Sequence, residues 1–218
     1  TLAGDIQSTS QNGGQLAGFR NQIINGSLSV WQRGTSFSSI GYTADRMLLA
    51  NVGTGGGAAT RDTNAPAASG LTYTINLNAG AILVQSCELH PTGQATQFAQ
   101  GTTWTFSFYS RTAPRMSTDN KIEFATGNLS ATDSVAIAEN FTWQAEDVPG
   151  VADFKRYSHT FTIGVDPVAG NNCIRMWARC DGASSVTGYQ LEPGPVATPF
   201  EHRPIGTELA LCERYYQL

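Results

Sequence analysis

Charged residues make up only 14% of this 218-residue chain, well under the roughly 25% of an ordinary globular protein. Lysine is almost missing: Lys121 and Lys155 are the only two. A chain poor in Lys has few of the residues that build exposed helices. No basic run occurs and the formal charge is −4, which excludes a phosphate-tracking surface and with it nucleic acid as a partner. No apolar stretch approaches the length of a membrane-spanning helix, so no membrane association is expected. The opening residues, Thr1-Leu-Ala-Gly-Asp-Ile-Gln7, lack the basic and apolar regions of a signal peptide. Cys87, Cys173, Cys180 and Cys212 include no Cys-x-x-Cys pair and no zinc spacing with histidine. Cys173 and Cys180 fall in one predicted strand, where about 3.3 Å per residue carries them out of disulfide reach. The thiols are expected to be buried and reduced, as suits assembly in a reducing cytoplasm.

What the chain does have is glycine, 23 residues of it, with abundant Ser, Thr, Asn and Gln. Thr, Val and aromatic residues favour strands, and Gly, Asn, Asp and Pro the turns between them. At this length one large β domain is expected. Residues 1–20 carry no periodic apolar pattern and read as an extended arm for attachment to a neighbour. Asn25-Gly26 signals a turn, and residues 52–57 form a glycine-rich loop without the Gly-Lys-Ser/Thr ending of a phosphate loop.

Residues 42–50 form an apolar segment, and strand candidates then recur at sandwich-like spacing: 71–77, 81–89, 102–111, 121–126, 134–138, 154–163, 172–180 and 185–191. The clearest alternation sets Trp104, Phe106 and Phe108 on one face and Thr105, Ser107, Tyr109 and Arg111 on the other. Likewise Ile174, Met176 and Ala178 oppose Arg175, Trp177 and Arg179. Pro193, Pro195, Pro199 and Pro204 force an extended run over the surface. A short helix over Thr207–Tyr216 follows, capped by Thr207 and anchored by Leu209, Leu211 and Tyr215. The domain plan is therefore an arm (1–20), a sandwich (21–204), and a C-terminal helix (205–218) packed on it.

The two ends of the chain carry a resemblance. Gly18-Phe-Arg-Asn-Gln-Ile-Ile-Asn-Gly-Ser-Leu-Ser-Val-Trp-Gln-Arg-Gly-Thr-Ser-Phe37 and Tyr42-Thr-Ala-Asp-Arg46 are similar to the opening of phage tail-fibre and virion-appendage domains. Gly188-Tyr-Gln-Leu-Glu-Pro-Gly-Pro-Val-Ala-Thr-Pro-Phe-Glu-His-Arg-Pro204 and Glu208-Leu-Ala-Leu-Cys-Glu-Arg-Tyr-Tyr216 resemble their ending. Trp104-Thr-Phe-Ser-Phe-Tyr-Ser-Arg111 and Arg156-Tyr-Ser-His-Thr-Phe161 match the central strands. The resemblance implies an all-β jelly-roll sandwich like a carbohydrate-binding module, carried on a tail fibre, spike or other virion appendage. It further implies host cell-surface polysaccharide as the partner and a homo-oligomer, expected as a trimer, that meets other virion proteins through residues 1–20. The competing readings are a purely structural capsid decoration or tail connector protein and, less well supported, a polysaccharide depolymerase.

Catalytic chemistry finds little support. His90, His159 and His202 are scattered, and there is no Gly-x-Ser-x-Gly nucleophile elbow. Glu88, Glu123 and Glu192 are carboxylates without a second-carboxylate signature for glycosidase chemistry, and Glu192 is expected to satisfy backbone donors. Asp45 and Arg46 read as a salt-bridged turn. The protein is therefore expected not to be an enzyme. Modules of this kind can carry structural calcium, but no Asp-rich loop has EF-hand spacing, so no metal or other cofactor is predicted. Sugar binding needs an aromatic platform and planar polar groups. The candidates are Trp177 as platform with Arg175 and Arg179, joined by Tyr109 and Arg111 only if their strands share a sheet. The same residue types suit a subunit interface equally well.

Overall fold

The computed structural model describes residues 19–51, 57–66, 69–89, 98–114, 120–126, 134–167, 170–179 and 182–216. Residues 1–18 of the predicted arm, most of the glycine-rich loop, His90 and Cys180 lie outside them.

Thirteen strands and one helix are described: β1 (Ser36–Phe37), β2 (Gly41–Tyr42), β3 (Met47–Asn51), β4 (Ala59–Asp62), β5 (Thr74–Leu77), β6 (Ala81–Glu88), β7 (Thr103–Ser110), β8 (Lys121–Ala125), β9 (Val135–Glu139), β10 (Gln144–Val148), β11 (Val151–Thr162), β12 (Cys173–Arg179), β13 (Ser184–Pro193) and α1 (Ile205–Glu213). They form two antiparallel sheets, one of seven strands in the order β1-β4-β5-β13-β7-β11-β10 and one of six in the order β2-β3-β6-β12-β8-β9. Within these, β5-β13-β7-β11 faces β6-β12-β8-β9, so the chain passes between the sheets again and again. That is the jelly-roll order. Each predicted strand is present, because period-2 alternation is strong wherever one face is buried. Strands β1, β2 and β4 have no counterpart among the sequence candidates, and β3 reads only as an apolar segment; β10 also escapes sequence reading, because four of its five residues are exposed and it lacks alternation. It is an edge strand held by backbone pairing to β11, and its Glu146 and Asp147 suit an edge.

The core lies between the sheets. Phe106 and Phe108 of β7 meet Trp143 and Tyr189 at ring separations of 5.1–6.1 Å. His159 joins them from β11, half-buried and stacked on Phe141 at 3.7 Å between centroids. Burial lowers its pKa from the usual 6.5. Two glycines are dictated by close approach. At the Asn25-Gly26 turn a Cβ would sit 2.1 Å from the Tyr189 carbonyl oxygen. At Gly188, in the β13 bulge, φ is +64° and a Cβ would sit 2.5 Å from the Tyr109 ring.

The two chain ends are joined by a buried polar network. Glu192, fully buried, accepts the Thr198 N–H at 2.9 Å and hydroxyl at 2.5 Å, and pairs with Arg20 at 3.0 Å. Glu201 accepts the backbone N–H groups of Arg20 and Asn21. Arg20, assigned by sequence to the arm, is thus pinned to the sandwich. Helix α1 starts at Ile205 behind Pro204 and has no side-chain cap, so Thr207 is not its cap. Its anchors also differ from those expected. Leu209 is exposed, whereas Glu208 and Cys212 are buried. Glu208 accepts the Asn25 N–H and pairs with Arg203 at 3.1 Å. The helix therefore docks through a carboxylate, which an apolar-stripe argument passes over.

Candidate functional site

Register places the sequence-predicted residues on two different surfaces. Arg175, Trp177 and Arg179 lie on β12 and point away from the core of the six-stranded sheet, opposite Ile174, Met176 and Ala178. Tyr109 and Arg111 belong to β7 and its end, in the seven-stranded sheet. The condition for a single five-residue groove is not met.

The outer face of the seven-stranded sheet is covered around Tyr109. Tyr109 is buried in a cluster with Leu71, Val148 and Phe154, against which Phe200 packs. Burial pushes its hydroxyl pKa up. Arg156 donates to the Thr198 carbonyl at 2.5 Å and to Ser107 Oγ at 2.9 Å, and Thr105 Oγ1 donates to the Gly194 carbonyl at 2.8 Å. The proline-rich run thus lies over this sheet and fastens to it. Arg111 pairs with Asp153 at 3.0 Å and lies over the Phe154 ring. Tyr109 is thus covered, whereas Arg111, with a side chain 31% exposed, is held in an ion pair at the edge of the covered region.

Parts of the six-stranded face are also committed to structure. Arg175 is buried against Glu123 at 2.7 Å. Burial opposes the Glu123 charge, but Lys121, Ser134 and Arg175 outweigh it and hold the carboxyl below its usual range. Trp177 is half-buried. Its indole N–H donates to Glu123 at 3.0 Å, and it packs beside Leu48, Ala50, Ile82 and Val84. Arg175 is therefore a structural ion-pair partner, and Trp177 is a half-buried member of a largely apolar patch. Arg179 is half-buried on the same face.

The other end of this face opens into a cleft of about 490 Å³, within the size range of small-ligand sites. Its floor is Ser86 and Glu88 of β6 with Cys173 of β12. Its walls are Arg33, Tyr42, Asp45, Arg46, and Arg214, Tyr215 and Tyr216 after α1. Arg33 lies over Tyr216, 3.6 Å from the ring centroid, and 5.2 Å from that of Tyr42. Arg46 lies over Tyr215 at 3.6 Å. Such cation–π pairs hold the rings in place. Asp45 and Arg46, expected to pair with each other, do not. Asp45 pairs with Arg33 at 2.5 Å, and Arg46 donates to the Ser86 carbonyl at 2.6 Å. Arg214 pairs with Glu88 at 2.7 Å. Cys212 is pushed up to about 12 by burial, with Asp45 and Glu208 adding to the effect. Burial likewise raises Cys173. Both thiols line the cleft as neutral groups rather than nucleophiles. Among the described residues, no three His, Cys, Asp or Glu side chains converge as a metal site.

Sequence reasoning missed Tyr42, Arg46, Tyr215 and Tyr216 as site residues, although all four lie in the segments that carry the resemblance. They come from a turn and from the far terminus, so no periodicity brings them together.

No family model matches the sequence, and no curated protein matches it significantly. Solved structures do. The enzymatically active domain of tailspike protein 4 from bacteriophage CBA120 is 13% identical at a TM-score of 0.43, over 80% of this chain and 21% of that one. The chain thus spans about a fifth of the tailspike domain. A Bacteroides thetaiotaomicron protein described as sugar-binding is 10% identical at a TM-score of 0.44, over 79% and 99%. The CBM22-1 xylan-binding domain of Paenibacillus barcinonensis Xyn10C is 13% identical at 0.39, over 74% and 94%. The jelly-roll assignment rests on the strand order, not on these distant likenesses.

Proposed function

We propose that this chain is a non-enzymatic glycan-binding module of a phage virion appendage, and that it holds host-surface polysaccharide in the cleft on its six-stranded sheet. The carrying observation is the set of three tyrosine rings, Tyr42, Tyr215 and Tyr216, fixed by arginines around one cleft. Aromatic rings supply the apolar surface that sugar rings pack on, and Arg, Ser and carboxylate groups supply planar partners for hydroxyls. Binding is favoured over hydrolysis because both cleft carboxylates, Asp45 and Glu88, are committed to ion pairs. The terminal segments of the sequence resemblance support the virion setting. In that setting the chain acts as a homotrimer, with residues 1–20 reaching a neighbour.

A cleft of this kind gives a weak monovalent affinity, roughly 0.1–1 mM, which several copies per particle raise by orders of magnitude. The test is an adsorption assay on host envelope polysaccharide with wild type, Tyr216→Ala and Trp177→Ala. Loss of binding by Tyr216→Ala at an unchanged melting temperature is expected. Equal binding by wild type and Tyr216→Ala removes the cleft from the site, and loss confined to Trp177→Ala moves the site to the apolar patch.

A further inference from the structure

We propose that Arg46 makes this cleft selective for anionic glycans, bearing uronate or sulfate groups, over neutral ones; the inference rests on the reading of the cleft as a glycan site. The charge balance of the wall carries it. Of the three arginines there, Arg33 is neutralised by Asp45 and Arg214 by Glu88. Both carboxylates have further partners as well. Asp45 accepts the Gln32 N–H at 3.0 Å, and Glu88 accepts the Tyr215 hydroxyl. Arg46 has no carboxylate partner among the described residues. Its Nη2 donates to a neutral carbonyl, its plane is stacked on Tyr215, and its Nε is buried without an acceptor. One positive charge therefore remains unneutralised in the cleft of a protein whose net charge is −4.

The backbone adds a second, independent observation. Arg46 has φ +70° in a tight turn where the Thr43 N–H bonds the Met47 carbonyl and the Met47 N–H bonds the Ala44 carbonyl. Glycine or asparagine adopts that conformation at least cost, and a long side chain there is uncommon. A strained residue held at the rim of a cleft is the pattern of a ligand-facing position. The stack on Tyr215 covers a face of the guanidinium, Nε is buried and Nη2 is held by the Ser86 carbonyl, so Nη1 is the nitrogen left to donate to a carboxylate or sulfate.

Calorimetric titration of the full chain with galacturonate oligomers and with their methyl esters separates charge from shape. Wild type is expected to prefer the acid about tenfold, the order of one charge-assisted hydrogen bond, and the preference should shrink with added salt. Arg46→Gln should bind acid and ester equally, both below the wild-type affinity for the ester because Tyr215 loses its stacked partner, and a cooperative thermal melt shows that the fold is intact. Arg46→Lys should retain part of the preference. Equal binding of acid and ester by wild type overturns the anion selectivity and leaves the glycan reading standing. A preference that survives in Arg46→Gln overturns the role of Arg46. Binding of neither form, nor of any neutral or acidic glycan on an array, overturns both.

Discussion

The two outer faces of the sandwich carry the same residue types to opposite ends. On the seven-stranded sheet, Tyr109, Arg111 and Arg156 are roofed or paired: Tyr109 under Leu71 and Phe154, Arg156 tied to the Thr198 carbonyl, Arg111 held by Asp153. On the six-stranded sheet, Tyr42, Arg33, Arg46, Tyr215 and Tyr216 line an open cleft. Tyrosine and arginine on an outward face thus say nothing by themselves about function. What decides is whether another segment of the chain covers the face, and here the proline-rich run covers one and not the other.

The largest effect that would break this contrast is on the covered side. Glu192→Ala should cost about 3–5 kcal/mol in denaturant unfolding, because it leaves Arg20 and the Thr198 donors unpaired in a buried site. Glu88→Gln, which removes an even shorter ion pair from the open side, 2.7 Å against 3.0 Å, should cost under about 1 kcal/mol, since its partner Arg214 is 67% exposed. Similar losses from both would mean that the cleft is as structural as the roof.

A second pair of substitutions sharpens the contrast on aromatic residues. Tyr109→Ala should destabilise by about 3 kcal/mol, as buried aromatic truncations do, and leave glycan affinity of the folded protein unchanged. Tyr216→Ala should do the reverse. Thermal unfolding and adsorption on the same samples read both quantities.

The smallest effect concerns neither face but the core between them. The folded pKa of His159 is depressed by burial below its ordinary 6.5, so the unfolded chain takes up its proton first. Its contribution to stability is complete above pH 6.5 and falls as the pH drops toward the folded pKa. His159→Phe should flatten stability against pH in that window, while glycan binding at neutral pH stays as in wild type. An unchanged slope would place the acid sensitivity elsewhere.

Much of the fold is legible in the sequence because burial on one face writes itself as alternation. Trp104, Phe106 and Phe108 lie in the core as their spacing requires, and the turn at Asn25-Gly26 is needed for packing against Tyr189. The site is less legible. Alternation tells inward from outward but not covered from open, so Tyr109 and Trp177 read alike in sequence. Helix α1 shows a related limit. Leu209 and Leu211 suggest an apolar anchor, yet the docking group is Glu208, whose buried ion pair depends on Arg203 and on Asn25 from the opposite end of the chain. The cleft itself gathers a turn at residues 42–46, one end of β6 and β12, and the last residues after α1. Only the closed tertiary structure brings these into one place.

The most direct test of the central claim is a map of backbone amide shifts while fragments of host envelope polysaccharide are titrated into the full chain. The account predicts saturable shifts concentrated at Tyr42, Arg46, Ser86, Tyr215 and Tyr216, with residues 195–202 and Tyr109 unmoved. Shifts centred on Tyr109 and the proline-rich run, with the cleft residues silent, would contradict it.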